Sequence, residues 1–286
     1  MKIDTLVLSG GALKCIAFTG VFEYLFSENI IDSKLTHIKT ILSLSGGTLF
    51  SLPLLLGFDI QECKSIIFSS NFSNMTDIRD FSLHNIFSHY GFFDNKFIKY
   101  FIIQLCLYKG YHKNLSLLEL YTIKKINFKV VVFNLSKNKE EIFSYKTHPH
   151  IPLWKLCMMT SCIPFIYKPI HYKGCQYIDG GMLSCNPIHL NTSPHFLEIF
   201  INSHKDVTIH NDKIIHKNIF EYITHITRYI HEPTTDELFK TTKNDKRRIS
   251  LSIANKDGYN FSINSQTIIK IYRLGFIQTG RHFSKH

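Results

Sequence analysis

Twice within the first sixty residues, a short apolar run enters a loop of small residues and leaves it as an apolar helix. The first unit is Asp4 to Ser9, then Gly10-Gly11. It continues into Leu13, Ile16, Ala17, Gly20, Val21, Tyr24 and Leu25, spaced as one face of a helix packed on a sheet. The second is Ile38 to Leu44, then Ser45 at the junction, then Gly46 to Phe58. Two consecutive βα units imply parallel strands, because a helix must carry the chain back before the next strand can begin. Pro53 inside the second helix removes a backbone donor and predicts a kink there.

Further along, residues 60–125 carry helical periodicity in pieces, as at Phe97, Tyr100, Phe101, Gln104 and Leu105. Ser116 with Glu119 forms a capping box ahead of an apolar run. Asn127 to Ser136 and Glu141 to Tyr145 read as a hairpin around Lys137–Glu140. A helix near Pro152 to Ser161 follows, then a strand ending at Tyr177-Ile178, a turn at Asp179 to Gly181, and a strand from Phe196 to Asn202. Ile215 to Ile230 and Gln266 to Thr279 are helix candidates around a strand candidate at Arg248 to Ala254. The alternation predicts an α/β fold, a three-layer α/β/α sandwich with a mostly parallel central sheet.

The 286 residues, 44% hydrophobic and 19% charged, suit one large core, so a single domain over 1–286 is expected. The longest apolar run, Leu49 to Phe58, is too short for a membrane span, which needs about 20 residues. Met1 to Leu8 shows no leader pattern and predicts a cytoplasmic protein. Seven cysteines without metal-type spacing predict reduced thiols. The net charge of +11 suits an anionic membrane surface, a nucleic acid or simple solubility. Abundant Ile, Lys, Asn, Phe and Tyr allow AT-rich coding as part of its origin. Lys243 to Arg248 is a compact basic cluster that reads as a solvated loop.

Three segments carry chemistry. Ser43-Leu44-Ser45-Gly46-Gly47 places a serine where a strand ends and small residues open a helix, the geometry of a nucleophile elbow. A βα turn rich in small residues is the plainer reading. Gly10-Gly11-Ala12, between strand and helix, offers backbone N–H groups to a substrate oxyanion, with Lys14 close behind. The same loop without full P-loop spacing ranks lower as a phosphate site. Asp179-Gly180-Gly181 offers a carboxylate as general base, or an ordinary type I′ or II′ turn.

In order and spacing these segments resemble the patatin-like phospholipases. The glycine-rich loop of that family resembles Gly10 to Cys15, its elbow resembles Ser43 to Gly47, and its Asp-Gly-Gly motif resembles Asp179 to Gly181. Ser161-Cys162-Ile163-Pro164, Pro169 and Asn186-Pro187 agree with it, and the likeness covers about residues 4–202, with 203–286 as a C-terminal extension. Cys15 stands where the family usually has glycine, and Ser43 replaces the first elbow glycine.

The resemblance implies a serine acyl hydrolase, a phospholipase A type enzyme, with Ser45 and Asp179 as a catalytic dyad. Gly10, Gly11 and Ala12 would form the oxyanion hole, and Lys14 would either point away or bind an anionic headgroup. No cofactor or metal is implied; the partner is a phospholipid or other lipid ester, met at a membrane surface, with no nucleic acid. Two alternatives stay open. One is a conventional triad that adds His189, His195 or His204. The other is a catalytically weak or inactive lipid- or nucleic-acid-binding protein on the same fold.

Overall fold

The computed structural model describes residues 2–76, 83–202, 245–254 and 261–285. The helix candidate at 215–230, the histidine at 204 and the residue at 243 lie outside them.

The central sheet takes its parallel half from β1 (Thr5–Leu8), β2 (Thr40–Ser43), β4 (Asn127–Asn134), β9 (Phe196–Asn202) and β10 (Arg248–Ser252), ordered β10-β9-β1-β2-β4. β5 (Lys139–Phe143), β7 (Ile170–Tyr172) and β8 (Cys175–Ile178) add the antiparallel part beyond it. A separate parallel pair joins β3 (Gly91–Phe93) to β6 (Phe165–Tyr167). The fold is therefore the expected α/β sandwich with a mostly parallel central sheet. The short strands β3, β6 and β7 escaped the sequence reading because three residues are too few to show a period.

The helices are α1 (Ala17–Ser27), α2 (Ser45–Leu56), α3 (Ile60–Ser69), α4 (Leu83–His89), α5 (Lys96–Tyr108), α6 (Leu117–Lys124), α7 (Leu153–Thr160) and α8 (Ser265–Ser284). Alternation along the strands sorts the core. Leu6, Leu8, Ile41, Val130 and Val132 share the main core with residues of α1, α2, α5 and α7. Val7, Leu42 and Val131 face the other way, against Ile188, Leu190 and Phe196. α2 runs unbroken through Pro53 and ends at Gly57, whose left-handed φ of 95° caps it. The Ser116–Glu119 capping box forms as expected, with both reciprocal bonds present at the start of α6.

One detail of register decides where the chemistry falls. β5 occupies one edge of β4, pairing Val130 through Asn134. On the other edge β2 ends with Ser43 opposite Val130, while β8 comes from the opposite direction and ends with Ile178 opposite Phe133. Two strands thus run head to head along one template, and the chains leaving them, Leu44-Ser45 and Asp179-Gly180, must turn away over Val131 and Val132. The sheet itself brings residues 134 positions apart into contact.

The described part of the Lys243–Arg248 cluster, from 245 onward, is not simply a solvated loop. Arg248 begins β10, is buried, and its Nε donates to Glu198 Oε2 at 2.6 Å.

Candidate active site

Ser45 occupies the first position of α2 with φ at 48°, a left-handed backbone that costs a non-glycine residue about 1–2 kcal/mol. That turn is sharp enough to require close approach of three backbones. A Cβ on Gly46 would stand 2.5 Å from the Ala12 carbonyl oxygen, and one on Gly47 would stand 2.4 Å from that of Ser9. Both distances exclude a side chain, so the small residues after the serine are demanded by the end of β1 and by Ala12 of the loop that follows it, which lie directly upon them. Before the serine, Ser43 Oγ and Thr48 Oγ1 share a buried hydrogen bond of 2.9 Å, which accommodates the departure from glycine. Cys15 is equally at home: its buried thiol packs under the loop and donates to the Ser9 carbonyl at 3.7 Å.

The hydroxyl of Ser45 donates directly to Asp179 Oδ2 at 2.7 Å, and the two residues are each 8% exposed. Asp179 leaves β8 and caps a single 3-10 turn, Gly180–Met182, its Oδ1 accepting the Gly181 N–H at 2.8 Å. Neither Gly180 nor Gly181 has positive φ, so the I′ or II′ hairpin turn is not what this tripeptide builds. Gly180 is needed because a Cβ there would meet the Val131 carbonyl oxygen at 2.2 Å. Burial pushes the Asp179 carboxyl up to about 6, against the opposing pull of its bonds from Ser45 and Gly181.

The glycine loop departs from expectation in one donor. Gly10 N–H is spent on the Cys185 carbonyl at 2.8 Å, which leaves Gly11 and Ala12 of the three expected donors. Ala12 has φ at 48°, a second strained residue beside the serine. Lys14 is 3% exposed and lines neither of the two chambers that Ser45 adjoins. Its charge bears instead on the Cys15 and Cys185 thiols, and the burial of both thiols pushes them upward.

Ser45 stands between two chambers. One is almost wholly apolar, with Leu49, Phe50, Ile67, Phe97 and Phe101 in its wall. The other is more polar and holds Gly11, Ala12, Asp179 and Gly181, with Pro164 and Met182 beside them. Among the described histidines of the alternative triad, His189 bonds Glu140 Oε2 through Nε2 at 2.9 Å and His195 is exposed; neither lines either chamber. Sequence reasoning missed Thr160, whose Oγ1 accepts the Ser45 backbone N–H at 2.8 Å, and Cys185, which acts through its carbonyl. A backbone contact of that kind leaves no sequence signal beyond Thr160 adjoining the Ser161–Pro164 motif. Among the described residues no cluster of His, Cys, Asp or Glu is arranged to hold a metal ion, and no helix is long and apolar enough to cross a membrane.

An elbow serine bonded straight to a carboxylate beside a glycine-rich loop, all on a mostly parallel sheet, defines an α/β fold with a two-residue Ser–Asp constellation. The model of the patatin-like phospholipase family matches residues 6–191, and the chain belongs to that family. It is 29% identical over 189 residues to the uncharacterized protein R571 of Acanthamoeba polyphaga mimivirus, covering 66% of this chain and 61% of that protein. To the probable lipid hydrolase 463L of Invertebrate iridescent virus 6 it is 29% identical over 199 residues, covering 67% and 64%. These matches therefore span under two thirds of the relatives' lengths. The crystal structure of VipD from Legionella pneumophila superposes with a TM-score of 0.61 at 15% identity, over 100% of this chain and 67% of VipD. The type III effector ExoU, known from Pseudomonas aeruginosa, follows at 0.53 and 10%, over 100% of this chain and 53% of ExoU. At such identities the structures speak to the fold.

Proposed function

We propose that this chain is a serine acyl hydrolase that cleaves lipid esters, with Ser45 as nucleophile and Asp179 as its general base. The observation that carries the reading is the direct 2.7 Å bond from Ser45 Oγ to Asp179 Oδ2 at the mouth of an apolar chamber. Ser45 Oγ attacks the ester carbonyl carbon as its proton passes to Asp179. The carbonyl oxygen becomes an oxyanion facing the N–H groups of Gly11 and Ala12. Collapse breaks the bond to the leaving alcohol, which takes the proton back from Asp179. Water then attacks the acyl-enzyme and gives a proton to Asp179; collapse breaks the bond from the acyl carbon to Ser45 Oγ, which takes that proton back from Asp179 as the fatty acid leaves. No metal or cofactor enters these steps.

The two chambers divide the substrate. The apolar one suits an acyl chain, and the more polar one the alcohol side of the ester. The probable lipid hydrolase among the relatives supports the same substrate class. Membrane phospholipid is the substrate we favour, met from a peripheral position in the cytoplasm. Phe165 and Leu183, adjoining the chamber residues Pro164 and Met182, are 51% and 52% exposed. Phe165 holds φ at 66°, a strained backbone for an aromatic in solvent, which suits a side chain kept outward for a lipid surface. We treat 1–286 as one domain acting in this way.

The test is mass-spectrometric product analysis on mixed phospholipid vesicles with wild type, Ser45→Ala and Asp179→Asn. Wild type should release fatty acid and lysophospholipid, and both variants should release neither. Hydrolysis that survives in Ser45→Ala, or is missing from wild type, would defeat the proposal.

A further inference from the structure

The serine of an elbow has a backbone as well as a hydroxyl, and the backbone N–H of Ser45 poses its own problem. It is the first N–H of α2 and has no partner within the helix. The N-cap is Leu44, whose side chain has no oxygen to offer. The group is buried, and an unpaired buried donor is unfavourable. The partner comes from 115 residues away: Thr160 Oγ1, fully buried at the end of α7, accepts the Ser45 N–H at 2.8 Å.

The direction of the threonine's own proton is not free. Thr160 Oγ1 also lies 2.7 Å from the carbonyl oxygen of Val131, which can only accept. The hydroxyl proton must point there, and a lone pair is therefore aimed at Ser45. Val131 lies in the gap of β4 between the ends of β2 and β8, on the edge where neither strand reaches. One hydroxyl thus satisfies an orphan carbonyl of the sheet and an orphan N–H of the elbow together. Two residues on, the Cys162 carbonyl accepts the Asp179 N–H at 2.9 Å. A single turn of chain holds the backbone of the serine and the backbone of its carboxylate.

We infer that Thr160 is a positioning residue for the reaction, acting as an N-cap supplied in trans to α2 so that Ser45 keeps the left-handed backbone that aims its hydroxyl at Asp179. The inference rests on the proposed hydrolase reading. Thr160 touches neither chamber, so its loss alters alignment at Ser45 and leaves the walls that bind substrate intact.

The experiment measures hydrolysis of a soluble short-chain ester and the rate of Ser45 labelling by a fluorophosphonate, in wild type, Thr160→Val, Thr160→Ser and Thr160→Ala. Val keeps the shape and removes the hydroxyl; Ser keeps the hydroxyl. We expect Val and Ala to lose about 10- to 100-fold in kcat and in labelling rate, with KM within about twofold, because small misplacement of a reacting group carries a penalty of that size. Ser should recover most of the loss. Should Val fail to fold, the Ser and Ala pair decides the matter. Equal rates for Ser and Ala, wild-type rates in Val, or a change confined to KM would overturn the inference while the hydrolase reading stands. A wild type that neither hydrolyses the ester nor takes the label at Ser45 would bring down both.

Discussion

The two strand ends that meet over β4 solve the same problem in different ways. At the end of β2 the chain turns into α2 through Ser45, and the cost is in the backbone, a φ of 48° on a residue with a Cβ. At the end of β8 it turns through Asp179, whose φ of −50° is ordinary, and the cost is in solvation: a carboxyl 8% exposed and pushed up to about 6. The proposed nucleophile is strained in shape, and its proposed base is strained in charge. Each kind of strain can be relieved separately, and only one of them depends on pH.

The largest effect should come from removing either group. Ser45→Ala and Asp179→Asn should each lower kcat by about 10⁴-fold, the scale seen when one member of a catalytic hydrolase constellation is lost. Stability should separate them. Asp179 has its folded pKa raised above the unfolded value, so its protonated form favours folding. That contribution is fully present below about pH 4 and lost as pH rises through about 6. At pH 8 the ionised carboxylate therefore weakens the fold. Asp179→Asn, neutral at every pH, should be more stable than wild type by on the order of 2 kcal/mol at pH 8, narrowing to little at pH 4. Denaturant unfolding at the two pH values checks it. A destabilised Asn variant at pH 8 would show that the carboxylate is not the strained partner.

The next effect belongs to the backbone side of the comparison. Gly46→Ala puts a Cβ 2.5 Å from the Ala12 carbonyl and 2.9 Å from Cys15 Sγ, so the glycine loop must lift away. Since Gly11 and Ala12 are the proposed oxyanion donors, kcat should fall by about 100- to 1,000-fold, as for the loss of such a donor. The reaction of Ser45 with a fluorophosphonate should slow in parallel. Unchanged turnover would mean that the loop carries no part of the oxyanion.

A smaller and graded effect follows from the charge. A base must be ionised to accept a proton, so kcat/KM should be level above about pH 7 and fall tenfold per unit below about 6, the value to which Asp179 is raised. Gly46→Ala should lower the whole curve without moving its bend. A bend that moved with the loop would mean that the two kinds of strain are coupled.

The sequence was informative where a residue's own side chain does the work and silent where its backbone does. The βα units, the hairpin and β9 were legible because apolar period and small residues report them directly, and Phe196–Asn202 falls on the predicted residues. Ser45 and Asp179 were legible through the company they keep. Gly10 was legible as small but not as spent, because a carbonyl from Cys185 has no residue signature. The burial of Lys14 was not legible: a lysine early in a helix is expected in solvent, and this one is 3% exposed. The head-to-head meeting of β2 and β8 was invisible, since a single sequence holds the strands and not their register.

The smallest expected effect is the sharpest test of whether two strand ends suffice. A conventional triad needs an imidazole between serine and carboxylate, and the 2.7 Å bond from Ser45 Oγ to Asp179 Oδ2 leaves no room for one. His189, the nearest of the described candidates in the chain, is occupied elsewhere, its Nε2 bonded to Glu140 and its Nδ1 3.3 Å from the Asn186 carbonyl. His189→Ala should leave kcat within about twofold and lower stability by no more than about 1 kcal/mol, the value of a partly exposed polar contact. Its pH profile should keep the same acid bend, because that bend belongs to Asp179. A loss of the order seen with Asp179→Asn would require the serine to swing from the carboxylate to an imidazole during turnover, and the comparison of two strained strand ends would give way to a site of three parts.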